Sequence, residues 1–491
     1  MTNRSKLEFG DYQTPLPLAR DACRLIARLG LEPAAILEPT CGLATFLQAA
    51  LLQFPNAHIA KGFDISPQYI EAARATLAAI PNIPASCLEQ ADFFSIDWHS
   101  VIAALPQPLL VIGNPPWVTN AALSVAGSAN LPAKSNFHQY AGLDALTGKS
   151  NFDISEYMLI RLSQALQNRN ATLAMLCKTS VARRVLAFCW KNGLNLFDSH
   201  IFPIDAMQHF DAAVDACFFV VSFSGARQTQ SCLLHDGLQF DSAARQLGYR
   251  HGILLADVDA YQRNQSLHHK TSYVWRSGVK HDCAKIMEFS ERNNLLYNGL
   301  GEPADIEPAL LYPLLKSSAI AGSKKSGVRR VLITQRNVGD STAAIALSAP
   351  KTWQYLLRHA PHLDRRASAI YKNRPRFSIF GIGDYSFAPW KVVISGFYKR
   401  LDFKVAGPLA GRPVMLDDTA YFLPCSGEEE ARSLAGLLNS GLAKDFLSSM
   451  IFWDMKRPIT VEILRRLSIE RLAQALDVSI PPPGSKQNNT R

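Results

Sequence analysis

Ala35-Ile36-Leu37-Glu38-Pro39-Thr40-Cys41-Gly42-Leu43-Ala44-Thr45-Phe46 opens on an apolar run, turns through Pro39 and Gly42, and continues to Phe54 with apolar residues at helical spacing. This reads as a buried strand, a tight turn and a helix. A short strand that is apolar throughout, rather than alternating, belongs in a sheet covered on both faces. The pattern repeats outward. Before it, Leu16 to Leu29 is amphipathic and stops at Gly30; after it come a strand at Ile59 to Phe63 and a helix at Pro67 to Ile80 with proline in its first turn. Leu109 to Ile112, Ala171 to Cys177 and Val214 to Phe223 read as further strands, with helices at Ile154 to Leu166 and Val181 to Trp190. Alternation of this kind predicts an α/β fold, a mostly parallel Rossmann-like sheet with helices on both faces.

In such sheets ligands lie beyond the carboxyl ends of the strands, so the residues that follow each strand matter. Glu38 ends the first strand and can take a ligand ammonium group, while Gly42 lets the backbone approach closely. Asp64 ends the second strand and can accept from both hydroxyls of a ribose; Asp92 and Phe93 follow the third apolar segment and suit an adenine. Each carboxylate alone would pass for a helix cap. Three at successive strand ends describe a site for amine, ribose and base, the outline of S-adenosylmethionine. A single glycine is too few for a dinucleotide or P-loop fingerprint.

The fourth strand ends in Gly113-Asn114-Pro115-Pro116-Trp117. Two prolines fix the backbone and remove its donors, leaving the Pro115 carbonyl and the Asn114 side-chain oxygen as acceptors. Two acceptors converging on an amino group would draw its nitrogen toward tetrahedral geometry and stabilise the charge that develops as it attacks a sulfonium methyl. Trp117 can stack on a base that has left the duplex.

These motifs resemble the amino-methylating DNA methyltransferases of restriction–modification systems, in the order called gamma. Phe9-Gly10-Asp11-Tyr12-Gln13-Thr14-Pro15 is similar to the opening motif that packs over the cofactor. Glu38 to Gly42 (with Thr40), Asp64 and Asp92-Phe93 match the cofactor motifs, and Asn114 to Trp117 the catalytic tetrapeptide, with Trp where Tyr or Phe is commoner. Ser150 to Tyr157, containing Asp153, resembles the motif whose helix lines the cofactor pocket; Phe210 falls where the family carries an aromatic against the flipped base. The resemblance implies Tyr12, Thr14, Thr40 and Asp153 among the cofactor contacts. It further implies methylation of adenine N6 in duplex DNA, a bacterial origin, a monomer and a separately encoded restriction endonuclease as partner. The loop Thr119 to Lys149 is longer than a plain strand–helix connection.

Charge divides along the chain. Residues 1–224 carry a net −2, residues 225–491 a net +12, and the stretch 316–412 alone +14. A basic back half joined to a neutral front half suggests that one part does chemistry and the other holds a polyanion. Tyr312 to Ser318 followed by Lys324, Lys325, Arg329 and Arg330 resembles the entry to a target-recognition domain; Arg336, Lys372, Arg374, Arg376, Lys399 and Arg400 follow as candidate DNA contacts. The expected organisation is a catalytic domain over 1–225, a connecting segment over 226–300, an α+β target-recognition domain over 301–478 containing a terminal helix at Thr460 to Leu476, and a tail over 479–491. No run approaches the ~20 apolar residues of a membrane span, and residues 1–10 lack a signal-peptide core, so a cytoplasmic location is expected. Nine cysteines without a CxxC pair fit free thiols rather than zinc.

Other chemistries fit less well. Ring-carbon methylation of cytosine needs a cysteine nucleophile, and the only Pro-Cys, Pro424-Cys425, lies far from the cofactor motifs. Methylation of cytosine N4 uses the same amine chemistry and stays open. Methylation of a glutamine amide leaves the basic half without a purpose. A DNA-specificity protein with a decayed catalytic half would not need Asp64, Asn114, Pro115 and Trp117 intact.

Overall fold

A computed structural model describes residues 12–80, 85–118, 153–224, 228–239, 243–322 and 329–480. The chain forms two compact units, residues 1–258 and 259–491.

The first unit is built on one ten-stranded mixed sheet. Its strands are β1 (Ala35–Glu38), β2 (Ile59–Asp64), β3 (Ala85–Gln90), β4 (Leu109–Gly113), β5 (Ala171–Lys178), β6 (Leu196–Ile204), β7 (Ala216–Phe223), β8 (Ser231–His235), β9 (Ala243–Arg250) and β10 (Ile253–Leu255). They lie in the order β10-β9-β8-β6-β7-β5-β4-β1-β2-β3. The five strands from β3 to β5 are parallel, and β7 inserts antiparallel between β5 and β6. The chain runs outward from β1 through β2 to β3, then returns to β4 on the other side of β1. That reversal opens a crevice at the carboxyl ends of β1 and β4, where α/β sheets bind ligands.

Alternate residues of each central strand enter different cores. Ala35, Leu37, Leu109, Val111, Leu173 and Met175 pack with α4 (Trp98–Ala103), α5 (Ile154–Ala165) and α6 (Thr179–Lys191). Ile36, Leu110, Ile112, Ala174 and Leu176 pack with α1 (Leu16–Arg28), α2 (Thr45–Gln53) and α3 (Pro67–Ala78). Both faces of the sheet are therefore dry, which is why β1 is buried along its whole length. Close approach of helix to sheet is set by Gly62, where a Cβ would come 2.7 Å from Leu88 and 2.8 Å from Leu47.

The segment over 226–300, expected to connect the two domains, contains strands of both units. Residues 231–255 add β8, β9 and β10 to the edge of the first sheet, and the chain from 259 onward belongs to the second unit. Strand β6 is not predicted from the sequence, because Asp198, His200 and Pro203 break its apolar run; the first two are tied together, His200 Nε2 lying 2.9 Å from Asp198 Oδ2.

The second unit holds two smaller sheets. One contains β12 (Glu288–Arg292), β13 (Leu295–Asn298), β14 (Leu311–Leu315), β15 (Arg329–Leu332) and β18 (Met415–Leu416), in the order β13-β12-β15-β14-β18. The other joins β11 (Arg276–Ser277), β16 (Trp390–Ser395), β17 (Lys404–Ala406) and β19 (Ala420–Cys425). The terminal helix expected over 460–476 is two: Val461–Leu464, capped by Thr460, and Ile469–Ala475, capped by Ser468. The Ser468 hydroxyl accepts from the Arg471 amide, so it starts a new helix rather than continuing the old one.

Candidate active site

Strand β1 delivers Glu38, 3% exposed, to the start of α2, where its Oε2 accepts a 3.1 Å hydrogen bond from the Leu47 amide. Burial raises its carboxyl well above the ordinary range; the Leu47 bond opposes this and the nearby charge of Asp64 adds to it. A buried carboxylate in this state is stabilised as an anion by a cationic neighbour. Gly113, at the end of β4, packs directly beside it: a Cβ there would lie 3.5 Å from Glu38 Cγ.

The turn after β1 is fastened at several points. The Gly42 amide donates to Asp64 Oδ2 at 2.9 Å, the Cys41 amide to the Phe63 carbonyl at 2.7 Å, and the Leu43 amide to Gln13 Oε1 at 3.3 Å. Gly42 has φ +49°, and a Cβ would meet Gln13 at 2.8 Å. The other oxygen of Asp64 accepts from the Ser66 amide at 2.9 Å. Asp64 is half-buried. Thr40 is half-buried in the same turn. Asp92 is half-buried and caps the turn Phe93–Ser95 through the Phe94 amide at 3.0 Å. Phe93 is buried against Trp98, ring centroids 4.7 Å apart.

Asn114 is held by the amino-terminal segment. Its Nδ2 donates to the Tyr12 carbonyl at 2.8 Å and lies 3.3 Å from Thr14 Oγ1. A carbonyl can only accept, so the amide must present nitrogen to Tyr12 and turn its oxygen the other way. That oxygen, Asn114 Oδ1, is buried and has no hydrogen-bond partner among the described residues. Tyr12, Trp117 and Phe210 form a ring trio, with centroids 5.7 Å (Tyr12–Trp117), 5.2 Å (Trp117–Phe210) and 6.0 Å (Tyr12–Phe210) apart. Trp117 is 5% exposed and its indole N–H donates to the Leu176 carbonyl at 3.3 Å. Phe210 ends the short helix α7 (Ala206–Phe210).

Asp153 joins the start of α5 to the end of β5. One oxygen caps α5, accepting from the Ser155 amide at 3.2 Å and the Ser155 hydroxyl at 2.6 Å; the other takes Lys178 Nζ at 2.6 Å. Lys178 also donates to the Trp117 carbonyl at 3.0 Å, and the Ile154 amide to the Val118 carbonyl at 2.9 Å. The exit of the Asn-Pro-Pro-Trp segment is thus tied to β5 and α5. Lys178 is absent from the residues singled out in the sequence, although a lone charge closing the apolar strand Ala171–Lys178 beside β4 is a signal for it.

Among the proposed DNA contacts, Lys324 and Lys325, like the loop 119–149, lie outside the described residues. The others are all in the second unit, several of them paired. Arg329 meets Glu288, Arg330 meets Glu291, Arg336 meets Asp384 and Arg376 meets Asp364. Arg400 bonds the Ala321 carbonyl and lies near Asp402. Lys372, Arg374 and Lys399 are exposed, and no carboxylate pairs with them among the described residues. No group of His, Cys, Asp or Glu suited to a metal ion occurs among the described residues, nor any helix long and apolar enough to cross a membrane.

The Rossmann-like sheet is the fold of the class I methyltransferases, and S-adenosylmethionine is the cofactor. The type II methyltransferase M.NspV of Nostoc sp. is 46% identical over 475 residues, 96% of this chain and 98% of that protein. The chain belongs to the methyltransferases of type II restriction–modification systems. MmeI, a type IIL restriction–modification enzyme solved in complex with DNA, matches its fold over 93% of this chain and 68% of that one, with TM-score 0.54 and 14% identity. A class I S-adenosylmethionine-dependent methyltransferase from Listeria monocytogenes overlaps 47% of this chain and 67% of its own, with TM-score 0.34 and 15% identity. No protein-family model matches this chain.

Proposed function

We propose that this methyltransferase acts on duplex DNA at a specific site and methylates N6 of an adenine turned out of the helix. The observation that carries the reading is the buried, unpartnered Asn114 Oδ1 on an amide whose other end is fixed by Tyr12 and Thr14. An acceptor held rigidly without a donor is costly unless the substrate supplies one, and an exocyclic amino group has two hydrogens to give.

S-adenosylmethionine supplies an electrophilic methyl group. Glu38 would hold its ammonium, Asp64 its ribose and Asp92 its adenine, with Tyr12, Thr14, Thr40, Gly42 and Phe93 around them. Asp153, held by Ser155 and Lys178, would stand beside them. The Pro115 carbonyl, which accepts no hydrogen bond among the described residues, and Asn114 Oδ1 take the two N–H bonds of the substrate. With both N–H bonds held, the amino nitrogen would gain tetrahedral character and its lone pair could attack the sulfonium methyl; the S–CH3 bond would break as the N–C bond forms, its electron pair going to sulfur, and one N–H proton would pass to water. Tyr12, Trp117 and Phe210 give the base an aromatic wall, and Pro116 stiffens the segment that carries it. The basic second unit holds the DNA, through Lys324, Lys325 and the cations from Arg329 to Arg400. A separately encoded endonuclease of the same specificity is the expected partner, and the active form a monomer.

Two acceptors serve an adenine or a cytosine amino group alike; the gamma order of the motifs favours adenine. Nucleoside mass spectrometry of DNA from cells expressing the chain decides between them. N6-methyladenine is expected. N4-methylcytosine instead would overturn the base assignment and leave the amine chemistry standing.

A further inference from the structure

The second unit contains a cavity of about 750 Å³ that neither the catalytic chemistry nor the family assignment uses. Its lining includes Lys285, Glu288, Arg292, Tyr297, Lys316 and Arg329. We propose that this cavity seats a backbone phosphate of the bound DNA, with Lys316 and Arg329 as its floor and Lys285 and Arg292 as its rim. The proposal rests on the reading that the second unit grips DNA.

The floor is organised by a buried carboxylate. Glu288 opens β12 and is 5% exposed; its Oε2 lies 2.6 Å from Lys316 Nζ and 3.3 Å from an Arg329 nitrogen, while Oε1 lies 3.5 Å from His281 Nε2. Lys316 directly follows β14, and Arg329 opens β15, paired in register with Leu314 on one side and Ser290 on the other. One negative charge thus gathers two permanent cations and leaves one positive charge over. Lys316 has three N–H donors and Arg329 five, so most remain available after Glu288 is served. Both side chains stay partly exposed, 30% and 50%.

The rim adds charge without neutralising it. Lys285 and Arg292 are exposed and have no carboxylate partner among the described residues, whereas the one further acidic residue of the lining, Glu291, is taken by Arg330 at 3.0 Å. Lys285 is fixed through its backbone: its carbonyl accepts from the Gly299 amide at 2.7 Å, and a Cβ on Gly299 would come 2.7 Å from its Cα. The Arg292 guanidinium lies 6.0 Å from the Tyr297 ring centre. A volume of this size exceeds a lone phosphate and takes a nucleotide unit, and a fork of Arg and Lys suits phosphate oxygens. Phosphate contacts position a protein on DNA without reading sequence, so this seat sets grip rather than specificity.

The test is the salt dependence of duplex binding by the full chain, measured by fluorescence anisotropy between about 50 and 200 mM KCl. Lys285→Gln/Arg292→Gln alters only exposed, unpaired side chains, and Lys316→Gln is the deeper second variant. The slope of log K against log salt is expected to shrink by about 0.9 for each phosphate that the variant no longer neutralises. Affinity should fall equally for duplexes with and without the recognition site. An unchanged slope in a folded double variant, beside a steep wild-type slope, overturns the seat. A wild type that binds no duplex in a salt-dependent way overturns instead the DNA-gripping reading itself. Inorganic phosphate separates the two sources of the anion. If millimolar phosphate stabilises the wild type but not the variants, and their duplex slope is unchanged, the site is one for free phosphate and the DNA seat is overturned.

Discussion

Each unit buries a glutamate at one end of a strand, and the two are treated in opposite ways. Glu38, closing β1, pairs with no cation among the described residues and is pushed well above the carboxylate range by burial, with Asp64 adding to the effect. Glu288, opening β12, is also buried, yet hydrogen bonds from His281 and Lys316 outweigh the burial and hold it below that range. The first carboxylate lacks a counter-ion among the described residues, as the proposed ammonium site would before its ligand binds. The second carries its own counter-ions and spreads their surplus over a surface. A methyltransferase needs both solutions: a neutral-to-acidic pocket for a cationic cofactor, and a basic face for a polyanion.

The largest test of this division is Asn114→Ala. It should lower kcat by about 10²–10³, with cofactor affinity and the salt slope of DNA binding unchanged. A flattened salt slope would show that the first unit grips DNA electrostatically and would break the contrast. Lys178→Met comes next, because it strands Asp153 in the interior. Stability should fall by about 3 kcal/mol, the low end for a broken buried pair since Lys178 is partly exposed, and kcat should fall with it. Adding Asp153→Asn should restore the melting temperature but not kcat; recovery of both would reduce the pair to a purely structural role, while rescue of kcat by Lys178→Arg would support its hold on Trp117.

Glu38→Gln should weaken S-adenosylmethionine binding about tenfold or more, as expected for losing a hydrogen bond to a charged group. In the wild type the cofactor Kd should fall as pH rises through the raised Glu38 value, since the ligand prefers the ionised form, and then level off; the variant should show no such trend. An equal trend in Glu38→Gln would remove Glu38 from the cofactor's ammonium. The smallest effects concern stability alone, and they run in opposite directions. A raised folded pKa means that Glu38 costs the ligand-free protein stability as pH rises from the usual carboxylate range through its raised value. A lowered one means that Glu288 contributes stability at neutral pH that is lost as pH falls from that range through its folded value. Denaturant titrations of Glu38→Gln and Glu288→Gln should each erase one limb; loss of the same limb in both would dissolve the distinction.

Much of the first unit is legible in the sequence because its strands are apolar and its turns carry Gly or Pro. β1, β2, β4 and β5 fall where periodicity puts them, and Asn114 with its prolines is visible as a motif. What stays hidden depends on partners distant in sequence. β6 is a strand despite Asp198 and Pro203, because β7 and β8 pair with it on either side. The pairing of Asp153 with Lys178 is hidden too, because only folding brings Lys178 across to it. In the second unit the sequence displays cations but not which are already matched: Arg336 and Arg376 each meet an aspartate, and Glu288 gathers His281 from a loop, Lys316 from the end of β14 and Arg329 from the start of β15.

One consequence concerns how this chain can be handled. The Asn114 amide, proposed to be catalytic, is oriented by the carbonyl of Tyr12, 102 residues upstream, so the segment around Tyr12 acts as a key in its own lock. Trimming past that tyrosine should give a folded protein that binds its cofactor more weakly and is chemically silent. The same segment, supplied as a separate peptide, offers a route to a methyltransferase switched on at will.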